Sequence, residues 1–529
     1  MSYDGKVVEV PMMGGLTGTK NQSTIHPDQL LQANNVSFAS GALSKEGGAV
    51  KYNSTAIIGS PNIIAGHDWF PTDAVQRMIV VLSDGTIKKD SGAFTFPTTL
   101  ASALTVANTV PMFVEGAKEA AANNRKLFIF TGKNAVQVLS GDGVTTTALL
   151  TPPADWSAAN QPVVGAIHEF RLWGAGNLND PHRVYYSTTG NHEDMTGAGS
   201  GSITVYPGEG EKIVGMISFK GLLLLWKYPK GLYYIDTTDP TIANWKVRVV
   251  SRATGGVSPL GQVLIDNDII YLDAAGNFQL VSATLEFGNM AANNLSQKFQ
   301  INSFLHDNVN LSRLQQIRAM YYGNRREVHF LLSSLNSTVN NRRMVIDFNM
   351  AEPRFRFSDR DTMDSIWLRM DIDNIQRPMI GDNAGFVWFL DQDTKSKAGA
   401  GYLGQFQTPQ IDLSHLGPST NNLPTKRKQG QFLEVVAEPK GNWNLNVDIQ
   451  WDGVTTQTVT FNMGTGGVGL GTFVIGTDTL GGDTLLNRKR RITGGGRRFS
   501  LIARNNGVGE DFSIDKFYLH FVPGDERLI

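Results

Sequence analysis

The chain of 529 residues contains no cysteine. Disulfides and thiolate-held metals are therefore excluded, and stability must come from packing and hydrogen bonding. An excess of charge is also missing. The formal net charge is -1, so the chain has none of the broad positive field expected of a dedicated nucleic-acid binder. No run approaches the roughly 18 apolar residues that cross a bilayer. The opening Met1-Ser2-Tyr3-Asp4-Gly5-Lys6 lacks the apolar centre of a secretory signal. These absences predict a chain made in the cytoplasm, with no membrane insertion of its own.

Motifs for chemistry are scarce as well. No His-Glu-x-x-His occurs, no histidines stand four apart, and no Gly-x-Ser-x-Gly elbow is present. Gly464, Gly466 and Gly469 match Gly-x-Gly-x-x-Gly, but the residues that follow, Thr472-Phe473-Val474-Ile475, read as a strand. A dinucleotide loop needs a helix there. His182, His192, Glu193 and Asp194 lie close in sequence without metal-ligand spacing. Asp371/Asp373 and Asp391/Asp393 resemble fragments of calcium loops but do not continue to the glycine and bidentate glutamate of one. We expect no catalytic residues, no cofactor and no metal. A single Trp451-Asp452 pair does not make the repeat of a WD40 scaffold.

What the chain does have is turns and short apolar runs. Its 56 glycines suit many tight turns in an all-β protein. Leu222-Leu223-Leu224-Leu225-Trp226 and Leu232-Tyr233-Tyr234-Ile235-Asp236 flank a turn at Tyr228-Pro229-Lys230-Gly231. Val263–Ile265, Ile269–Leu272 and Phe278–Val281 continue the pattern. Runs this short, bounded by Gly, Pro, Asn and Asp, predict hairpins. Repeated over several hundred residues, they predict an irregular β-propeller of six to eight blades. The candidate blades centre on 78–90, 127–139, 167–187, 213–236, 247–281, 321–357 and 366–390.

The predicted organisation has four parts. Residues 1–55 form an N-terminal arm, with a short helix starting near His26-Pro27-Asp28. Residues 56–400 form the propeller, with a short helical insertion near 295–320. Residues 401–430 are a linker. Residues 431–529 form a β-sandwich, because 432–437, 445–449, 458–461, 499–503 and 517–521 alternate as half-buried strands do. Gly464 to Gly471 and Gly494–Gly496 would be loops. Two basic runs stand out, Lys426-Arg427-Lys428 and Arg488-Lys489-Arg490-Arg491. Such runs are usually solvated; clustered arginine could also meet DNA phosphate or an acidic neighbour subunit.

The arm carries Gly14-Gly15-Leu16-Thr17, then Ile25-His26-Pro27-Asp28-Gln29-Leu30, Ala33-Asn34-Asn35-Val36-Ser37-Phe38 and Gly41-Ala42-Leu43-Ser44-Lys45-Glu46-Gly47-Gly48. This succession resembles the opening of tail nozzle proteins of short-tailed bacteriophages. The stretch from Arg504 through Asn505-Asn506-Gly507 to Ile514 is similar to the closing strand pair of that group. The resemblance implies a virion structural protein, made in the host cytoplasm and assembled into the tail. It implies a homohexameric ring below the portal and adaptor, in contact with other tail proteins and transiently with packaged DNA, which passes through its channel. It implies neither catalytic residues nor a cofactor. The other reading is a glycan-binding or glycan-cleaving propeller, which needs a carboxylate pair or an arginine cluster at the propeller axis.

Overall fold

The computed structural model describes residues 5–21, 24–116, 125–282, 295–360, 362–371, 373–413, 423–464 and 485–524. It is nearly all-β, with 48% of residues in strands and 6% in helices. Six four-stranded blades form a propeller. The first is Ile63–Thr72, Val75–Leu82, Ile87–Lys89 and Thr98–Ala101; the second is Met112–Glu115, Lys126–Phe130, Gln137–Ser140 and Thr147–Ala148. The third is Val164–His168, Arg171–Ala175, Arg183–Tyr186 and Gly201–Thr204. The fourth is Lys212–Phe219, Leu222–Tyr228, Leu232–Asp236 and Lys246–Ser251. A three-stranded sheet, Gln262–Ile265, Asp268–Leu272 and Phe278–Leu280, stands between the fourth and fifth blades. Helices Leu295–Phe299 and Ile301–Asn308 come after it in the chain. The fifth blade is Arg318–Tyr322, Glu327–Leu332, Arg342–Asp347 and Arg354–Ser358.

The sixth blade takes only three strands from its own stretch of chain: Ser365–Met370, Gln376–Gly381 and Val387–Gln392. Its fourth, Gly48–Lys51, comes from the arm and pairs antiparallel with Val387–Gln392. Just beyond that strand, Tyr52 and Ile57 share a buried cluster with Ile63, Met78, Trp367 and Met379. Sixth blade and first blade are thereby joined, and the ring closes. Similar clusters fill every other gap, because the strands are apolar on both faces. Blades stacked face to face need that, as sheets covered on both sides do.

The C-terminal domain is two facing sheets. One is centred on Lys428–Glu438, between Ser513–Pro523 and Leu486–Arg491. The other contains Gly404–Gln407, Phe499–Asn505, Asn444–Trp451 and Val454–Asn462. Leu433, Val435, Ala437, Val447, Ile449, Phe517 and Leu519 are buried in one core with residues of both sheets. The second sheet does not end at the domain edge. The arm strand Gln32–Asn34 pairs antiparallel with Gly404–Gln407 and parallel with Arg354–Ser358. It splices the sandwich to the fifth blade in one nine-stranded sheet.

Three local readings are corrected. The helix expected near His26 is a turn, followed by a bridge between Leu16 and Leu30 and then the strand Gln32–Asn34. An isolated helix of one or two turns is marginal, and here the backbone is used instead by the sheets on either side. Lys246–Ser251 is not part of a fifth repeat; it pairs with Leu232–Asp236 as the outer strand of the fourth blade. Gly495–Gly496 is a short strand paired with Lys428–Gln429. Gly466 and Gly469, and most of the expected Gly464 to Gly471 loop, lie outside the described residues.

The seat of the arm strand is close. A Cβ added at Gly48 would stand 2.1 Å from the Thr394 carbonyl oxygen and 2.4 Å from that of Ser396. Gly48→Ala should therefore lower stability by about 1–3 kcal/mol, the usual cost of overpacking. The denaturant midpoint measures it, and an unchanged midpoint would show that the strand is not seated this way.

Candidate interaction surfaces

The arm is held by charge as well as by strands. Glu46 is buried, and its Oε1 accepts from Arg343 Nη2 at 2.7 Å and Arg356 Nη1 at 2.6 Å. Arg360 lies 3.8 Å from Oε2. Arg356 also donates to Glu327 Oε2 at 2.8 Å and to the Val36 carbonyl at 3.1 Å. Beside it, His329 contacts Glu327 at 3.2 Å, and Arg325 pairs with Asp391 at 2.6 Å. The arm thus supplies the central carboxylate for arginines of the fifth blade and for Arg360, two residues beyond it.

Next to Glu46, the ammonium of Lys45 donates to Asn505 Oδ1 at 3.0 Å, and the Lys45 backbone N–H donates to the Phe512 carbonyl at 3.0 Å. Asn35, with φ +52°, donates to Asp359 Oδ1 at 2.8 Å and to the Leu403 carbonyl at 2.7 Å. A Cβ at Gly47 would stand 2.7 Å from Asp391 Oδ1. Along the chain these contacts take an amide at Asn35, then the Lys45–Glu46 step, then glycine at Gly47.

Burial would raise the Glu46 carboxyl, but Arg343, Arg360 and Arg356 override it and hold it well below the ordinary range. Glu327 is likewise held down to about 2 by Arg356 and His329 against its burial. Burial lowers His329 to about 4 and raises Asp391 to about 6, the latter against Arg325.

The basic runs divide by strand geometry. Leu486–Arg491 is a strand, paired with Lys428–Glu438 so that Arg491 faces Phe432 and Lys489 faces Glu434. Successive side chains alternate sides. Arg488 donates to the Gly464 carbonyl at 3.1 Å and Arg490 to that of Thr460 at 3.1 Å, so both reach toward the second sheet. Lys489 and Arg491 take the outer face. There the Lys489 ammonium sits 4.6 Å over the Phe432 ring and 3.3 Å from His520, which contacts Glu434 at 2.7 Å. In the other run, Lys426 is half-buried, and exposed Arg427 donates to the Gly495 carbonyl at 3.2 Å. Lys428 points inward, donating to the carbonyls of Asp412 and Arg497 at 3.1 and 2.5 Å.

One aspartate of each acidic fragment is in an ion pair: Asp371 with Arg377 at 2.6 Å, and Asp391 with Arg325. Glu193 pairs with Lys126 at 2.5 Å, and Asp194 caps the turn at Thr196 and Gly197. Among the described residues no group of three His, Asp or Glu is placed to hold a metal.

At one end of the propeller two adjoining cavities open where the sheets converge. The larger, about 470 Å³, has Val110, Val163, Val214, Val257 and Pro259 in its wall. The smaller, about 170 Å³, is lined by Asn62, Arg313, Arg318, Asn340 and Asp364, among others. Gln316 and Asn108 border both, and the Gln316 amide donates to the Asn108 carbonyl at 3.1 Å between them. Sequence reading missed this arginine pair, because its neighbours in space are spread from Asn62 to Asp364.

No protein-family model matches the chain, and no curated protein matches it. It is similar to the crystal structure of the computationally designed Ika8 protein, at 9% identity and a TM-score of 0.37, over 63% of this chain and 96% of that one. It is also similar to BBS1N in complex with ARL6DN, at 7% identity and a TM-score of 0.39, over 66% of this chain and 97% of that one.

Glu46→Gln removes the shared negative charge and leaves arginines buried without it. Breaking such a pair costs about 3–5 kcal/mol. The pH profile identifies the cause. Groups held below their unfolded values, Glu46 and Glu327, stabilise fully above pH 4.5 and lose that contribution as the pH falls through their folded values. Protonation of His329 opposes folding as pH falls from 6.5 to 4, while Asp391 works the other way between 6 and 3.8. Their effects offset. Stability should stay level down to about pH 4.5 and drop steeply below it. A Glu46→Gln variant should show a shallower drop. Equal slopes for the two proteins would remove Glu46 as the anchor.

Proposed function

We propose that this chain is a structural component of a bacteriophage tail, a ring-forming nozzle that lines and closes the DNA exit channel. In this reading it acts as a homohexamer seated on the tail adaptor, with no catalytic role. One observation carries the proposal. The two stretches on which the resemblance rests meet in space. Lys45 of the opening motif bonds Asn505 and Phe512 of the closing one, across 460 residues in the case of Asn505. Glu46, Gly47 and Gly48 complete the same seat. A pattern spread over both ends of the chain therefore describes one structural joint, which favours a shared architecture over chance matches in two loops.

The purified protein, alone or with its adaptor, should form rings with a central pore in electron micrographs, at a mass near six times 57.7 kDa. An intact particle containing this chain as isolated monomers would sink the reading. Monomers that bind or cleave a glycan would favour the alternative.

The outer face of the sandwich is the surface offered to a neighbour or to DNA, through Lys489 and Arg491 beside Phe432. Replacing Lys489 and Arg491 with Glu should impair ring formation if the neighbour is protein. It should instead reduce DNA retention in particles and flatten its salt dependence if the neighbour is phosphate. Normal behaviour in both assays would assign the face to solvent. Arg488 and Arg490 are tied to carbonyls, so their replacement should lower thermal stability first.

A further inference from the structure

We propose that the mouth of the propeller docks a polypeptide segment that carries a carboxylate beside an apolar side chain, with Arg313 and Arg318 taking the carboxylate. This inference does not depend on the tail reading. It begins with Arg318, which is 4% exposed, lines the smaller cavity, and has an Nε with no hydrogen-bond partner. Its Nη1 donates to the Gln316 carbonyl at 3.1 Å. A buried donor left unpaired is costly, and a guanidinium edge suits a planar carboxylate. Arg313 lines the same cavity and donates through Nε to Ser333 Oγ at 3.0 Å. Among the described residues neither arginine is in an ion pair within 4.0 Å.

Asp364 is the acidic residue in this cavity. It accepts from the Asn62 amide at 2.8 Å and forms no ion pair within 4.0 Å with either arginine, so it leaves their donor edges to an incoming group. The cavity retains room for an added carboxylate, flanked by the amides of Asn62 and Asn340.

The adjoining cavity decides what the carboxylate is attached to. Its wall is aliphatic, with Val110, Val163, Val214, Val257 and Pro259, and none of its lining residues is aromatic. A sugar ring would find no aromatic face to stack on; an apolar side chain would find a cavity of its own size. Lys133 and Lys212 against Glu211 keep the rim positive, which also suits an acidic segment. The two cavities are lined from several parts of the ring, from Asn62 and Ile64 through Val163 and Val214 to Arg318 and Asp364, so a docked segment would touch more than one blade.

The test uses the full chain and two capped peptides, acetyl-Leu-Glu-Leu-amide and acetyl-Leu-Gln-Leu-amide, titrated by calorimetry alongside glucuronate. The glutamate peptide should bind saturably and about tenfold or more tighter than the glutamine one, the effect of a charge-assisted bond. Arg313→Gln, at a half-buried position whose fold can be checked by its melting curve, should erase that difference. Arg318→Gln should do the same if it folds. Equal affinity for the two peptides, or a preference unchanged in Arg313→Gln, would overturn the proposal. So would glucuronate binding that depends on Arg313 while neither peptide binds.

Discussion

A carboxylate with no access to water must be answered by positive charge, and in this protein one such carboxylate decides how the parts are joined. Glu46 sits among Arg343, Arg356 and Arg360, and Arg356 is shared with Glu327. Each ion would be costly to bury alone. Together they favour this seat of the arm, because here Glu46 answers Arg343 and Arg360 and shares Arg356 with Glu327. The strands on either side of Glu46 then have fixed destinations. Leu43–Lys45 joins the sandwich sheet through Ser513 and Ile514, and Gly48–Lys51 joins the sixth blade. Nine residues of chain, 43–51, thus reach both the sandwich and the propeller.

That arrangement explains which parts of the molecule could be read in advance. Hairpins such as Leu222–Tyr228 with Leu232–Asp236 announce themselves locally, since apolar runs and turn residues lie side by side in the sequence. The sandwich strands are legible for the same reason: Lys428–Glu438 and Ser513–Pro523 alternate buried and exposed positions. Pairings between distant segments leave no such trace. Nothing near Gln32–Asn34 says that it lies between Arg354–Ser358 and Gly404–Gln407, and Pro27 just before it suggested a helix instead. The outer strand Lys246–Ser251 is partly exposed and reads as the start of the next repeat unless its partner is known.

The basic run shows a finer limit. As a sequence, Arg488-Lys489-Arg490-Arg491 is one patch of charge. As a strand it is two sets, because alternate residues belong to opposite faces. Arg488 and Arg490 reach carbonyls within the domain, while Lys489 and Arg491 remain on the outside. Lys428 is a stronger case, a lysine of a charged triplet whose ammonium is solvated by two backbone carbonyls. Charge counts alone cannot separate these roles; strand register can. The propeller mouth was illegible for a different reason, since Asn62, Arg318 and Asp364 are brought together only when the ring closes.

Closure by an N-terminal strand also sets an order in time. Gly48–Lys51 leaves the ribosome early, but its partner Val387–Gln392 and the arginines that answer Glu46 are made hundreds of residues later. At about 5–20 residues per second, that wait lasts tens of seconds. Throughout it the arm is an unpaired strand carrying an unanswered charge, while blades one to four can already fold behind it. The charge that later locks the ring is, until then, what keeps the nascent arm hydrated and discourages it from pairing with the wrong edge.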